Sequence, residues 1–403
     1  MLAREELGKG FYVVGGPAKL YVDGEGEVFG AEVNRDVLTI PSRRQAPLIV
    51  RSGVVYIEEA RYVVDSPSEE YLIPSDWVRI ASEIGEGDRI LILGGVDTGK
   101  SGLTLYLANR LIARGLKVGI IDTDIGQSDV GPPGTIGYSS IDKQFYTYQD
   151  IPLNNAYFIG DITPAGHLLQ LVTGVETLNR TGSDDVTIVN TCGYIHGGRA
   201  RALKKGIAEV LDPTMIIFLD REGELTHLKH ALSRYRQTTL EIPSAIKPKR
   251  MVERIDYRKL LIESYFENAS IMSFRMENIY LDNTVLGEAC YKVFRGTVYG
   301  LYWDGEYTYV PYTGDRKALE NILDKVEGRK IFINLARLKG LLVGLYKGDR
   351  FLNIGMLESM DPIEGLINIY SKVDDRVDRV VFGYLIISPD GSRLARLRPG
   401  FLG

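Results

Sequence analysis

Eight residues at 94–101, GGVDTGKS, set a lysine and a hydroxyl at the spacing GxxxxGK[ST]. That pattern suits a polyphosphate. Backbone N–H groups of such a loop surround the β-phosphate, Lys100 neutralises the β- and γ-oxygens, and the Ser101 hydroxyl ligates Mg²⁺. Gly94 and Gly99 stand where a Cβ would block the turn or the close approach of backbone to ligand. The expected nucleotide contacts are Gly95, Val96, Asp97, Thr98, Gly99, Lys100 and Ser101, with ATP as donor. A threonine at position 102 would extend that row by a second hydroxyl; the chain has Gly102 there, and no side-chain contact is expected from it. Further on, KVGIIDTDIGQSD places Asp122 and Asp124 at the C-terminal end of an apolar run. One carboxylate there would hold the metal, directly or through water. A second, two residues on, can accept a proton from an attacking hydroxyl. No [NT]KxD signature follows, which disfavours a switch GTPase.

These residues need elements to hold them. GGVDTGKS follows the strand-like run RILIL and precedes the helical stretch SGLTLYLANRLIARG, the context a phosphate loop requires. KVGIIDTD, VTIVNTCG and TMIIFLD read as further doubly buried parallel strands, with helices in PAGHLLQLVTGVETLNR and GGRARALKKGIAEVL between them. Alternating strands and helices predict an α/β core with a parallel sheet, a P-loop NTPase core, over 83–275. Before it, 1–82 reads as a small N-terminal β-domain, with FYVVGG, a hairpin turning at Asp23 and Gly24, and VVYIEEARYVVD. A short helix, WVRIASEI, opens after Pro74 and ends at Gly85. After it, 276–403 reads as a mostly β C-terminal domain, with Asp304-Gly305 and Asp390-Gly391 as hairpin turns.

Composition bounds the rest. At 403 residues the chain is long enough for two or three domains, and its 44% hydrophobic and 25% charged content is ordinary for a globular protein. No apolar run is long enough to span a bilayer, and MLAREELGKG lacks the apolar core of a signal peptide; the expected place is the cytoplasm, away from membranes. Cys192 and Cys290 form no CxxC pair and histidines number four, so two ordinary thiols are expected in place of a zinc site. A net charge of −5 disfavours a protein that coats duplex DNA, while leaving room for a local basic groove.

The run GGVDTGKS, DTDIGQSDVGPPGT, TPAGH and NTCGYIHG resembles the polynucleotide 5′-hydroxyl-kinase family, including its archaeal single-chain members. The resemblance implies that ATP and Mg²⁺ serve a transfer to single-stranded 5′-OH ends of RNA, or of DNA, and that RNA-processing proteins are partners. It makes Asp124 the general base and leaves Asp122 with Ser101 for the metal. It places Gln127 near metal and substrate, and makes Thr163, Thr191 and Tyr194 a clasp for the terminal nucleotides. Many relatives have Trp where this chain has Tyr194; either ring can stack on a base.

From 229 to 259 the chain carries Lys229, Arg234, Arg236, Lys247, Lys249, Arg250, Arg254, Arg258 and Lys259 against Glu241, Glu253 and Asp256. Arg250, Arg254 and Arg258 recur every four residues, so they are expected on one helix face of a lid near 247–262 that closes over the phosphates. By resemblance Arg254 is the lid arginine that completes the site, with Lys100 and Asp124 as the other catalytic residues and Arg250 second; Arg250 and Arg258 are expected to meet the nucleic acid. Arg199, Arg201, Lys204 and Lys205 add basic charge after the clasp. Two other readings share the donor site: an ATP-bound, non-catalytic RNA-processing scaffold, and a P-loop kinase for a small metabolite.

Overall fold

The computed structural model describes residues 5–248, 250–324 and 326–403; Lys249 of the basic segment and residues 1–4 lie outside the described residues. The chain packs into two compact units. The first takes the described residues up to Gly131 together with Thr135–Tyr157 and Thr163–Tyr257. The second takes Pro132–Gly134, Phe158–Ile162 and Arg258–Gly403.

In the first unit a seven-stranded antiparallel sheet is built on the pair Ala18–Val28 and Gln45–Glu58, matched from Lys19 opposite Glu58 to Val28 opposite Leu48. The hairpin expected at Asp23 and Gly24 turns elsewhere. Those residues lie inside the strand Ala18–Val28, and the chain reverses at Phe29 and Gly30, with φ of 45° and 77°, into Ala31–Asn34. Gly24 explains the difference: a Cβ there would stand 2.1 Å from the Ser52 carbonyl oxygen, so this glycine serves close pairing with Gly53 and not a turn.

The helix Ser75–Glu83 follows, burying Trp77, Ile80 and Ala81. Trp77 Nε1 donates to the Glu241 carbonyl at 3.0 Å, and its ring lies 6.0 Å from that of Tyr106. Behind them stands the second sheet, in the order Asn155–Phe158, Thr135–Ile141, Val118–Asp122, Val186–Asn190, Arg89–Gly94, Met215–Leu219, Gln237–Leu240. Pairing is parallel from Val118–Asp122 through to Gln237–Leu240. Ile90, Leu91, Ile92 and Leu93 are wholly buried, as a strand covered on both faces requires. The expected parallel sheet gains one antiparallel member, Thr135–Ile141 against Val118–Asp122. The connection between those two strands holds no helix, and a parallel return needs a crossover. Helices Lys100–Ile112, Leu168–Thr181, Gly197–Leu211 and the short Thr226–Ala231 lie in the connections of the rest. Val13 and Ile49 of the N-terminal sheet share a core with Trp77, Leu103, Leu107 and Ile120, so both sheets belong to one packed body.

The second unit holds a seven-stranded sheet in which Leu341–Lys347 pairs with Arg350–Asp361 and with Arg379–Ile387, and a four-stranded sheet from Cys290–Phe294 to Arg329–Asn334. Asp304-Gly305 and Asp390-Gly391 sit at hairpin turns, Gly305 at φ 103° and Gly391 at φ 72°. The strand Ser270–Arg275 pairs with Leu366–Ser371, and Phe266 stacks on Tyr370 with 5.9 Å between centroids. These pairings draw everything after Tyr257 into the second unit, earlier in the chain than the composition change near 276. Phe158–Ile162 joins it because the Tyr384 amide donates to the Gly160 carbonyl at 2.8 Å and Arg396 Nε to Asp161 Oδ2 at 2.7 Å. The fold is an α/β P-loop core with an N-terminal β-sheet and a β-rich C-terminal region.

Candidate active site

The P-loop sits where the buried strand Arg89–Gly94 runs into the helix Lys100–Ile112. Gly99, at φ 92°, lets the chain turn in left-handed geometry directly before Lys100. Gly94 has a different reason: a Cβ there would stand 2.5 Å from Thr98 Oγ1 and 3.0 Å from the Leu219 carbonyl oxygen. Thr98 Oγ1 donates to the Gly95 carbonyl at 3.1 Å, fixing the loop, and Asp97 takes φ 54°. Lys100 is buried and its Nζ donates to the Gly95 carbonyl at 2.5 Å. Burial lowers its pKa to about 8; Asp124 opposes the shift, and the ammonium of Lys204 adds to it.

The row of contacts ends at Ser101, because the next residue is Gly102 and the helix turns this position toward the N-terminal sheet. A Cβ on Gly102 would stand 3.3 Å from Phe29 Cε1 and 3.9 Å from Trp77 Cη2, so Gly102→Thr would press on those rings.

The carboxylates sort themselves by partner. Asp122 is wholly buried, and each of its oxygens already accepts two N–H groups. Oδ1 takes the Asp124 amide at 3.2 Å and Asn190 Nδ2 at 3.2 Å; Oδ2 takes the amides of Asp129 at 2.6 Å and Val130 at 3.3 Å. Burial, then Asp129 and Asp124, push its pKa well up. Asp122 therefore organises the loop from 123 to 130. Asp124 is partly exposed, and its Oδ1 accepts the amides of Gly126 at 3.2 Å and Gln127 at 3.0 Å. Gln127 Nε2 is buried without a hydrogen-bond partner among the described residues.

Asp129, which the sequence reading passed over, is the carboxylate that meets the P-loop. Its Oδ2 accepts from the Ser101 hydroxyl and its Oδ1 pairs with Arg44. Arg44 comes from the turn before the strand Gln45–Glu58, lies 4.3 Å over the Tyr257 ring and donates to the Tyr257 hydroxyl at 2.6 Å. Tyr148 donates to the Ser101 carbonyl at 3.0 Å. The run DTDIGQSD contained the signal for Asp129. Nothing local marks Arg44 or Tyr148.

The clasp residues divide. Thr191 is wholly buried and its Oγ1 donates to the Ile92 carbonyl at 2.8 Å. In this arrangement the Thr191 hydroxyl ties the clasp turn to the P-loop strand. Gly193 backs onto the P-loop, where a Cβ would stand 2.9 Å from the Val96 nitrogen. Tyr194 is half-buried, and Thr163 is half-buried at the start of the 3₁₀ turn Pro164–Gly166. Lys204 is wholly buried; its Nζ donates to the Cys192 carbonyl at 2.7 Å and lies 3.5 Å from Cys192 Sγ.

The arginine row also divides. Arg254, on the helix Met251–Phe266, reaches Asp97 Oδ2 with Nη2 at 2.5 Å, and its Nε is buried without a hydrogen-bond partner among the described residues. Arg250 directly precedes the helix: its amide donates to Glu253 at 3.0 Å, satisfying one N–H at the helix start, and its side chain is 78% exposed. Arg258 falls in the second unit. The lid's first turns are held by Arg254 to Asp97, by Arg43 to Asp256 at 3.2 Å and by Arg61 to Glu253 at 3.6 Å.

The site can thus bind a nucleotide polyphosphate between Lys100 and Arg254, with a partly exposed carboxylate, Asp124, beside it. Among the described residues no group of three His, Cys, Asp or Glu converges as a metal cage, and no helix is long and apolar enough to cross a membrane.

Residues 94–268 match the family described as mRNA cleavage and polyadenylation factor CLP1 P-loop. A polyribonucleotide 5′-hydroxyl-kinase of Pyrococcus abyssi is 30% identical over 357 residues, 84% of this chain and 98% of its own length. Another, of Pyrococcus horikoshii, is 30% identical over 356 residues, 84% of this chain and 96% of its own. The polyribonucleotide 5′-hydroxyl-kinase Clp1 of Xenopus laevis is 28% identical over 61% of each chain. A solved structure of wild-type Clp1p with Pcf11p (454–563) superposes with a TM-score of 0.63 over 94% of this chain and 96% of that one, at 13% identity, a likeness of fold.

Proposed function

This chain belongs to the polyribonucleotide 5′-hydroxyl-kinase family, and on that premise we propose that it transfers the γ-phosphoryl group of ATP to the 5′-hydroxyl end of RNA. The observation that carries the reading is one constellation: Lys100 buried in the P-loop, Asp124 partly exposed next to it, and Arg254 brought onto Asp97 by the lid helix.

The 5′-oxygen attacks the γ-phosphorus as Asp124 accepts its proton, the new O–P bond forms, and the bridging bond to ADP breaks. The amides of Gly126 and Gln127 hold one Asp124 oxygen, which fixes the direction from which the carboxylate meets the hydroxyl. Lys100 and Arg254 neutralise charge that spreads over the phosphoryl oxygens, and the buried Arg254 Nε is a donor without an acceptor among the described residues. Tyr194 stacks on the terminal base, Thr163 serves the clasp from the turn Pro164–Gly166, and Thr191 keeps the Tyr194 turn in place through Ile92.

Mg²⁺ fits the donor set. This cation keeps much of its water and takes few protein ligands, one hydroxyl and one or two carboxylates, and no ready-made cage is found among the described residues. Ser101 and the acidic loop organised by Asp122 would hold it. When bound, the ion neutralises the β- and γ-oxygens of ATP.

The test is transfer of labelled γ-phosphate from ATP to matched 5′-OH RNA and DNA oligomers. RNA is labelled by the wild type. Asp124→Asn binds ATP as before and labels RNA about 10²–10⁴-fold more slowly. Bound ATP with no turnover in the wild type would leave a scaffold in place of a kinase, and a full rate in Asp124→Asn would remove Asp124 as base.

A further inference from the structure

We propose that Asp129 is the carboxylate that works with the Ser101 hydroxyl on the metal side of the P-loop, and that Arg44 from the N-terminal sheet is its positioning residue. The inference rests on the reading above only in taking Ser101 to be the hydroxyl that faces Mg²⁺.

Asp122 has the expected place at the end of its strand, yet both of its oxygens are occupied by N–H groups of the loop and of Asn190. Asp129 is the acid whose side chain bonds the Ser101 hydroxyl directly, and its carboxylate is only 3% exposed. A carboxylate so buried is costly to keep without a compensating charge beside it. Arg44 supplies that charge from one side, leaving the other oxygen on Ser101.

Arg44 is itself held. Its guanidinium lies over the Tyr257 ring and donates to the Tyr257 hydroxyl, while burial opposes its charge and Asp129 with Tyr257 more than restores it, raising its pKa. Nη2 donates to both partners while the flat guanidinium stacks on the Tyr257 ring, and a lysine would keep the charge but lose the stack. The chain Tyr257–Arg44–Asp129–Ser101 therefore runs from the first turns of the lid helix, through the turn of the N-terminal β-sheet, to the phosphate loop, all within one compact unit. In this arrangement the N-terminal sheet contributes to the nucleotide site by orienting one carboxylate.

The measurement is the affinity of a fluorescent ATP analogue with Mg²⁺ and with EDTA, for wild type, Arg44→Ala, Arg44→Lys and Asp129→Asn. The quantity read is the ratio of the two affinities, which a partly unfolded sample leaves unchanged once the folded fraction is set by circular dichroism. Arg44→Ala and Asp129→Asn lower the Mg²⁺ enhancement by roughly 10- to 100-fold, as loss of an outer partner of a metal ligand does. Arg44→Lys recovers part of it. Asp129→Asn keeps the shape of the side chain, so it supplies the result even where Arg44→Ala fails to fold. An unchanged ratio in both Asp129→Asn and Arg44→Ala overturns this inference alone. No Mg²⁺ enhancement in the wild type overturns it together with the metal reading of Ser101. RNA is absent from the measurement, so failure of the acceptor assignment leaves the result standing.

Discussion

Lys204 shows what a single buried charge does near this site. A wholly buried ammonium is costly unless it is satisfied, and here it is satisfied by the carbonyl of Cys192 in the turn that carries Thr191 and Tyr194. The cation also adds to the fall in the pKa of Lys100, so it bears on the P-loop as well as on the clasp. Lys204→Met keeps the length of the side chain and removes both effects. The variant is expected to lose about 1–3 kcal/mol of stability, because the Cys192 carbonyl is left buried without its donor. Its KM for RNA rises more than its KM for ATP, since the clasp turn loses its tether. Chemical denaturation and steady-state kinetics read the two effects, and equal changes in both KM values would count against the tether. Thr191 works by the same logic from the other side of the turn, through Ile92.

At the scale of elements, the lid helix is the part whose residues differ most in role. Arg254 lies against Asp97 of the P-loop, whereas Arg250 pairs with Glu253 on its own turn and is largely in solvent. Arg254→Ala is expected to slow transfer by about 10³-fold or more, as removal of an arginine that meets the transferring phosphoryl group does. Arg250→Ala changes the rate by less than about fivefold, since exposed ion pairs are weak. Rapid-quench measurement of labelled product compares the two, and equal losses would place both arginines on the phosphates. The helix Ser75–Glu83 has a structural part. Trp77 fills the space between it and the P-loop helix, and Trp77→Ala should cost about 3–5 kcal/mol in denaturant unfolding. A loss below about 1 kcal/mol would mean that the cavity collapses.

On the scale of the whole molecule, the nucleotide site lies in one of two compact units. ATP at about 100 times its dissociation constant should stabilise that unit by roughly 2.7 kcal/mol. Hydrogen exchange should show the added protection in peptides of 89–131 and 186–257, while peptides of 341–387 in the second unit's central sheet exchange as before. Equal protection in both units would mean that they open together. The net charge of −5 disfavours a long phosphate track, so RNA binding should respond to salt only weakly, with a slope no steeper than about −2. A steep slope would point to a long phosphate track.

The donor half of the site was legible in the residues alone, because a phosphate loop is a local object. Strand, glycine turn, Lys100 and helix follow one another in the chain, and the backbone itself forms the anion cradle. The alternation of strands and helices likewise revealed the α/β core, since a strand buried on both faces must be apolar throughout. Only tertiary structure separated Asp122 from Asp129, for both stand in the same acidic run and differ in which partners the fold turns toward them. It alone brought Arg44 and Tyr257 together across 213 positions of sequence, a pairing set by packing of the N-terminal sheet against the first lid turns. It also moved the hairpin turn from Gly24 to Gly30, because a glycine can serve a turn or a close strand pair, and the identity of the partner strand decides which.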